Sequence, residues 1–66
     1  MVIRVNGREE TLTGTCTLLE YLQLKGVNPT TVAVERNGKI PGRENWGKIA
    51  LVDGDVLELV KFVGGG

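Results

Sequence analysis

The chain has 66 residues, in which eight Lys and Arg balance eight Asp and Glu, with one Cys and no His. That length accommodates one small domain hiding only ~60% of its unfolded surface, while the single Cys16 excludes an internal disulfide and the absence of His leaves no cluster of zinc ligands. Charges of both signs are interspersed, so nucleic acid and membrane surfaces find no electrostatic footprint, and with neither a secretory leader nor an apolar run near the ~20 residues of a bilayer span, a soluble cytoplasmic protein is expected.

Val2 to Val5 is β-prone, Asn6-Gly7 is the strongest short-range signal for a type I′ turn, and Arg8 to Thr13 can return as the second strand of a hairpin. In the segment TCTLLEYLQLKG, Thr17 and Glu20 fit a capping box, Leu18, Tyr21 and Leu22 share one helical face, and Gly26 stands where the helix should stop. After Asn28-Pro29 comes a β-branched run, which Asn37-Gly38 turns into a short return through Lys39 and Ile40. Pro41 and Gly42 break that pattern, Trp46 falls in a polar connection, and the turn Asp53-Gly54-Asp55 launches a last strand from Val56 to Val63.

The order is therefore ββαββ. A lone helix can cover only one side of a sheet, so the expected architecture is α+β: a β-grasp, ubiquitin-like fold with a mixed sheet and one helix packed across one face. The domain should span residues 1–63, followed by a flexible glycine tail over residues 64–66. In that fold class the last strand lies beside the first at the sheet centre.

Along the last strand, alternation sends Leu57 and Leu59 to one face and Val56, Glu58, Val60 and Phe62 to the other. Leu57 and Leu59 are assigned to the core, Val60 and Phe62 to an exposed face open to a partner; a strand buried on both sides is the alternative. Asp53 and Asp55 supply too few ligands for a calcium loop and read as a turn. Cys16 precedes a helix start, where thiolates are favoured, but a single Cys reads better as a small, partly buried hydrophobe. Trp46 reads as a lid on the core. With no His, no nucleophile paired to a base and no phosphate-binding glycine loop, the chain is not expected to be an enzyme.

Gly64-Gly65-Gly66 is a poor way to finish a fold, because glycine loses the most freedom on ordering. On composition alone an inert end is the simpler reading. Together, however, the N-terminal hairpin, Thr17-Leu18-Leu19-Glu20, Val32-Ala33-Val34, Asn37-Gly38-Lys39-Ile40, Arg43-Glu44-Asn45-Trp46, Asp53-Gly54-Asp55 and the terminal Gly-Gly resemble the ThiS family of sulfur carriers in thiamine biosynthesis, over the whole chain. Gly42 stands where the family usually has proline before the arginine, and the terminal Gly-Gly is extended to three.

The resemblance implies that the chain is a protein cosubstrate with no stably bound cofactor. An E1-like, ThiF-like adenylating enzyme would use ATP-Mg to activate the Gly66 carboxylate, which at its ordinary pKa of ~3.3–3.7 is an anion and a poor electrophile. Sulfur from a donor such as a cysteine desulfurase would then give a C-terminal thiocarboxylate, passed to a ThiG-like thiazole synthase. Gly64 and Gly65 would thread the tail into the enzyme, with Val60, Phe62, Val63 and Arg43 at the partner interface; for Arg43 a merely solvated role stays open. Three further readings stay open too: the small subunit of molybdopterin synthase or another sulfur carrier, a ubiquitin-like modifier conjugated through Gly66, and a plain β-grasp interaction module with an inert tail.

Overall fold

Asn6 and Asn37 both adopt left-handed backbone, at φ 51° and 52°, and each is followed by a glycine, Gly7 at 81° and Gly38 at 83°. Two successive positive φ values make a type I′ turn, whose twist matches that of the strands it joins. In the computed structural model, which describes residues 1–62, the first turn joins β1 (Val2–Val5) to β2 (Arg8–Thr11) in antiparallel register. The expected continuation of β2 to Thr13 is not formed: pairing gives way after the Leu12 N–H bond to the Met1 carbonyl, and Gly14, at φ 79°, turns the chain toward the helix.

The second turn follows β3 (Val32–Arg36). The expected return through Lys39 and Ile40 is reduced to one bridge, Arg36 to Lys39. In that register the next hydrogen-bonded pair would set Val34 opposite Pro41, which has no N–H to donate, so the ladder cannot propagate. Ile40 is left exposed.

Helix α1 (Leu18–Leu24) opens on a complete capping box: the Glu20 N–H donates to Thr17 Oγ1 at 3.1 Å and the Thr17 N–H to Glu20 Oε1 at 2.8 Å. It closes on Gly26, whose N–H donates to the Gln23 carbonyl at 3.0 Å while the Val27 N–H reaches the Leu22 carbonyl at 2.9 Å, the paired bonds of a Schellman end. Seven residues are too few for a helix to stand alone in water, so packing holds it. Leu18, Tyr21 and Leu22 are buried against Ile3, Val5, Val32, Val34 and Leu57 of the sheet.

The last strand, β4 (Val56–Lys61), runs parallel to β1 and antiparallel to β3, giving the order β2-β1-β4-β3 with the first and last strands at the centre. It ends before the expected limit, although the Phe62 N–H still donates to the Thr31 carbonyl at 3.0 Å; Val63 lies outside the described residues. Between β3 and β4 the connection is not a plain loop but contains a 3-10 turn over Arg43–Lys48, from which Trp46 closes the core at 2% exposure.

The expected turn at Asp53-Gly54-Asp55 is present, and both carboxylates are structural. Asp53 Oδ1 accepts the Val2 N–H at 2.7 Å. Asp55 is only 2% exposed, yet its carboxylate is fully partnered: Arg36 Nη2 at 3.0 Å and Nε at 3.1 Å, the Val52 N–H at 2.9 Å and Asn37 Nδ2 at 3.0 Å. Burial alone would raise its pKa; the Val52 N–H, the Asn37 amide and the Arg36 guanidinium outweigh it and hold the carboxyl below the ordinary range.

A carboxyl depressed in the folded state contributes stability that is fully present above its unfolded pKa of ~3.9 and is lost as pH falls through the folded value. Asp55→Asn should therefore cost about 2–3 kcal/mol at pH 7, with the gap to wild type closing as pH falls below the unfolded value and through the lower folded one. Urea unfolding across pH 2–7 reads both; a gap that stays constant into acid would mean the charge contributes nothing.

Candidate functional site

The sheet has one face under the helix and one without cover. On β4 the inward residues are Leu57, fully buried, and Leu59, partly buried, while Val56, Glu58 and Val60 point outward. Val60 is 62% exposed and Phe62, just past the strand, 44%, so β4 is not buried on both sides. Register places Ala33 opposite Val60 and Glu35 opposite Glu58 on this open face, with Arg4 beside Val56. An apolar patch of Ala33, Val60 and Phe62 thus lies on the uncovered side toward the tail, separated from Val56 by Glu35 and Glu58. The Glu35–Glu58 pair, like charges set opposite each other, weakens the sheet by up to ~1 kcal/mol.

Arg43 is exposed, yet its guanidinium is tied back onto the chain. Its Nε donates to the Pro29 carbonyl at 2.9 Å and its Nη2 to the Val32 carbonyl at 3.2 Å, with the guanidinium 5.3 Å from the centre of the Trp46 ring. Val32 pairs with Lys61, so this tie closes the free edge of β3 at the end of the sheet from which the tail departs. Trp46 is itself anchored by Nε1 to the Pro41 carbonyl at 3.2 Å. Gly42, the departure from the family pattern, takes φ −64° and ψ 143°, angles equally open to proline.

Of the residues assigned from sequence, the structure brings Val60, Phe62 and Arg43 to one end of the molecule. Val63, Gly64, Gly65 and Gly66 lie outside the described residues. Cys16 is partly buried, and its thiol is pushed up in pKa first by that burial and then by the Glu20 carboxylate, so at neutral pH it is protonated and a weak nucleophile. Among the described residues no group of three His, Cys, Asp or Glu comes together to hold a metal, and no helix is long and apolar enough to cross a membrane. Sequence reasoning missed Glu35, which only strand register places against Glu58, and it treated Asn6 and Asn37 as turn formers alone. Their carboxamides also bond to β4, Asn6 to Leu59 and Asn37 to Val56.

The ThiS family model matches residues 3–66. A thiazole synthase of Paramagnetospirillum magneticum is 39% identical over 66 residues, a match that takes in all of this chain but spans only 20% of that relative's length. The sulfur carrier protein ThiS of Bacillus subtilis is 36% identical over 66 residues, covering 98% of this chain and 100% of the relative. Among solved structures, the crystal structure of the thiamine biosynthesis protein (ThiS) from Geobacter metallireducens superimposes with a TM-score of 0.83 at 36% identity, covering both chains completely.

The ties of Arg43 predict that Arg43→Ala lowers stability by about 1–2 kcal/mol, through two lost bonds to carbonyls and the lost contact with Trp46. Arg43→Lys should not restore it, since an ammonium cannot fork two carbonyls in one plane. Urea unfolding of both variants checks this; a loss under about 0.5 kcal/mol for Arg43→Ala would show the tie to be idle.

Proposed function

The chain belongs to the ThiS family, and on that footing we propose that it carries sulfur for thiamine biosynthesis as a thiocarboxylate on Gly66. The observation that carries this reading is the family match running through the terminal glycines, joined to a strand that leads from the middle of the sheet toward them.

The chemistry requires activation. The Gly66 carboxylate attacks the α-phosphorus of ATP in an adenylating enzyme, pyrophosphate leaves, and the carboxyl becomes a mixed anhydride with AMP. A sulfur nucleophile, supplied by a donor such as a cysteine desulfurase, attacks the acyl carbon and expels AMP, leaving sulfur on the C-terminus for a thiazole synthase. The chain is then a cosubstrate in the cytoplasm rather than an enzyme, and ATP and magnesium belong to the activating enzyme. That whole thiazole synthases contain a region similar to this entire chain supports a thiazole synthase as its acceptor.

Gly64 and Gly65 suit the tail to a confined site because they have no Cβ to clash. Ordering three residues costs ~3–6 kcal/mol of backbone entropy, so the affinity for partners must come from the domain. Its uncovered sheet face offers the surface: Val60 and Phe62 make the apolar contact, with Arg43 at the rim.

Intact mass spectrometry after incubation with the adenylating enzyme, ATP and a sulfur donor should show one oxygen replaced by sulfur, and a chain lacking Gly66 should show no change. An unmodified wild-type chain, beside another carrier that the same enzyme does modify, would overturn the reading. A product joined to a lysine of another protein would point to a modifier instead.

The docking role of the sheet face predicts that Val60→Asp or Phe62→Asp lowers kcat/KM for adenylation at least about tenfold, or ~1.4 kcal/mol, while thermal unfolding shifts little. Unchanged kcat/KM would remove that face from the interface.

A further inference from the structure

The main-chain pairing between β1 and β4 stops early on the side toward the tail. Its register runs Arg4 to Val56 and Val5 to Leu57, and the last main-chain bond is the Asn6 N–H to the Leu57 carbonyl at 2.9 Å. There the chain turns away into Gly7. Leu59, the next residue of β4 whose backbone faces β1, would be left with an N–H and a C=O lacking a strand partner.

The Asn6 side chain supplies both. The Leu59 N–H donates to Asn6 Oδ1 at 2.7 Å, and Asn6 Nδ2 donates to the Leu59 carbonyl at 3.3 Å. A carboxamide carries the same donor and acceptor as a peptide unit, so Asn6 prolongs β1 by one pairing step without adding a residue to the strand. On the opposite side β3 continues the ladder to the Phe62 N–H bond with the Thr31 carbonyl. The end of β4 is therefore gripped from both sides as far as Leu59, and beyond it by β3.

We propose that Asn6 is a positioning residue for activation of Gly66: its carboxamide clamp fixes the strand end from which the tail starts. The inference rests on the sulfur-carrier reading. Four residues past Phe62 reach at most ~14 Å when extended, so a strand end that swings away with β3 withdraws the carboxylate from ATP. Misplacement by about 1 Å at a reacting centre can cost on the order of a hundredfold in rate. The Asn6–Leu59 bonds run between main chain and carboxamide and involve neither the Val60 nor the Phe62 side chain that docks, so the clamp acts on kcat.

Asn37 provides an internal control. It has the same residue type in the same turn, and its Oδ1 accepts the Val56 N–H at 2.9 Å, but at the start of β4, far from the tail. Asn6→Gly and Asn37→Gly each keep the positive-φ turn while deleting a clamp. With a ThiF-type adenylating enzyme and ATP-Mg, pyrophosphate exchange should show kcat about tenfold lower for Asn6→Gly with KM within about threefold, and kcat for Asn37→Gly within about twofold of wild type. Asn6→Asp, which keeps the acceptor and loses the donor, should fall between and guards against a glycine variant that does not fold. Equal loss in both glycine variants, or a rise in KM alone for Asn6→Gly, overturns the proposal.

Amide exchange on the free domain reads the clamp without any enzyme. Asn6→Gly should speed exchange at Phe62 relative to Leu57, and Asn37→Gly should not; unchanged protection at Phe62 overturns the proposal by itself. If wild type supports no pyrophosphate exchange, the sulfur-carrier reading is the one that fails, and amide exchange then decides the clamp.

Discussion

The parallel contact between β1 and β4 joins parts of the chain as much as 53 positions apart, and forming it closes a loop whose length-dependent entropy cost is ~3.5 kcal/mol. Its register comprises only two residue pairs. Side chains therefore bracket it. At one end Asp53 takes the Val2 N–H while the Gly54 N–H meets the Val2 carbonyl, and at the other the Asn6 carboxamide takes both groups of Leu59. Without this contact the first hairpin and the β3–β4 pair would be two ribbons of two strands each, marginal in water on their own.

A core this small leaves the remaining stability to a few polar ties at its margins. Asp55 organises the start of β4 by binding Arg36 and Asn37 at the end of β3 together with the Val52 N–H ahead of the strand. A buried charge is costly unless every lone pair is met, and here each oxygen has a donor. On the other side of the domain the Tyr21 hydroxyl donates to Glu10 at 2.9 Å, and Glu10 in turn pairs with Lys25 at 3.2 Å, so the helix is fastened to β2 at the margin of the core. Burial and the Glu10 carboxylate push the Tyr21 phenol far above its ordinary pKa, so at neutral pH it is a donor.

The features legible in the sequence are those decided within a few residues. Asn-Gly at both hairpins, Thr17 with Glu20 at the helix start, Gly26 at its end and the alternation through Leu57 and Val60 each follow from local sterics or side-chain period. What escaped reading depends on register or on distant partners. Lys39 and Ile40 look like a return strand until Pro41 is set opposite Val34; Arg43 looks like a partner contact or a merely solvated side chain until Pro29 and Val32 present their carbonyls to it; Asp55 looks like a turn residue until Arg36 arrives from β3. Gly66 is a harder case, because chemistry on a terminal carboxylate needs no side chain and leaves no motif of nucleophile and base. Only the match of the whole body to a family lends meaning to the glycines.

On the sulfur-carrier reading, the place where the tail is rooted matters as much as the tail itself. A strand bonded on both sides has less freedom than an edge strand, and β4 occupies such a place, with its outward residues on the face the helix leaves bare. An edge strand would let the root fray, and a helix would direct the tail along an axis with no adjoining apolar face. A central parallel strand combines main chain bonded on both sides as far as Leu59 with an uncovered outward face in one element. On the proposed reading the domain supplies the root and the glycines the freedom from side chains, and presenting a terminal carboxylate to an enzyme needs both.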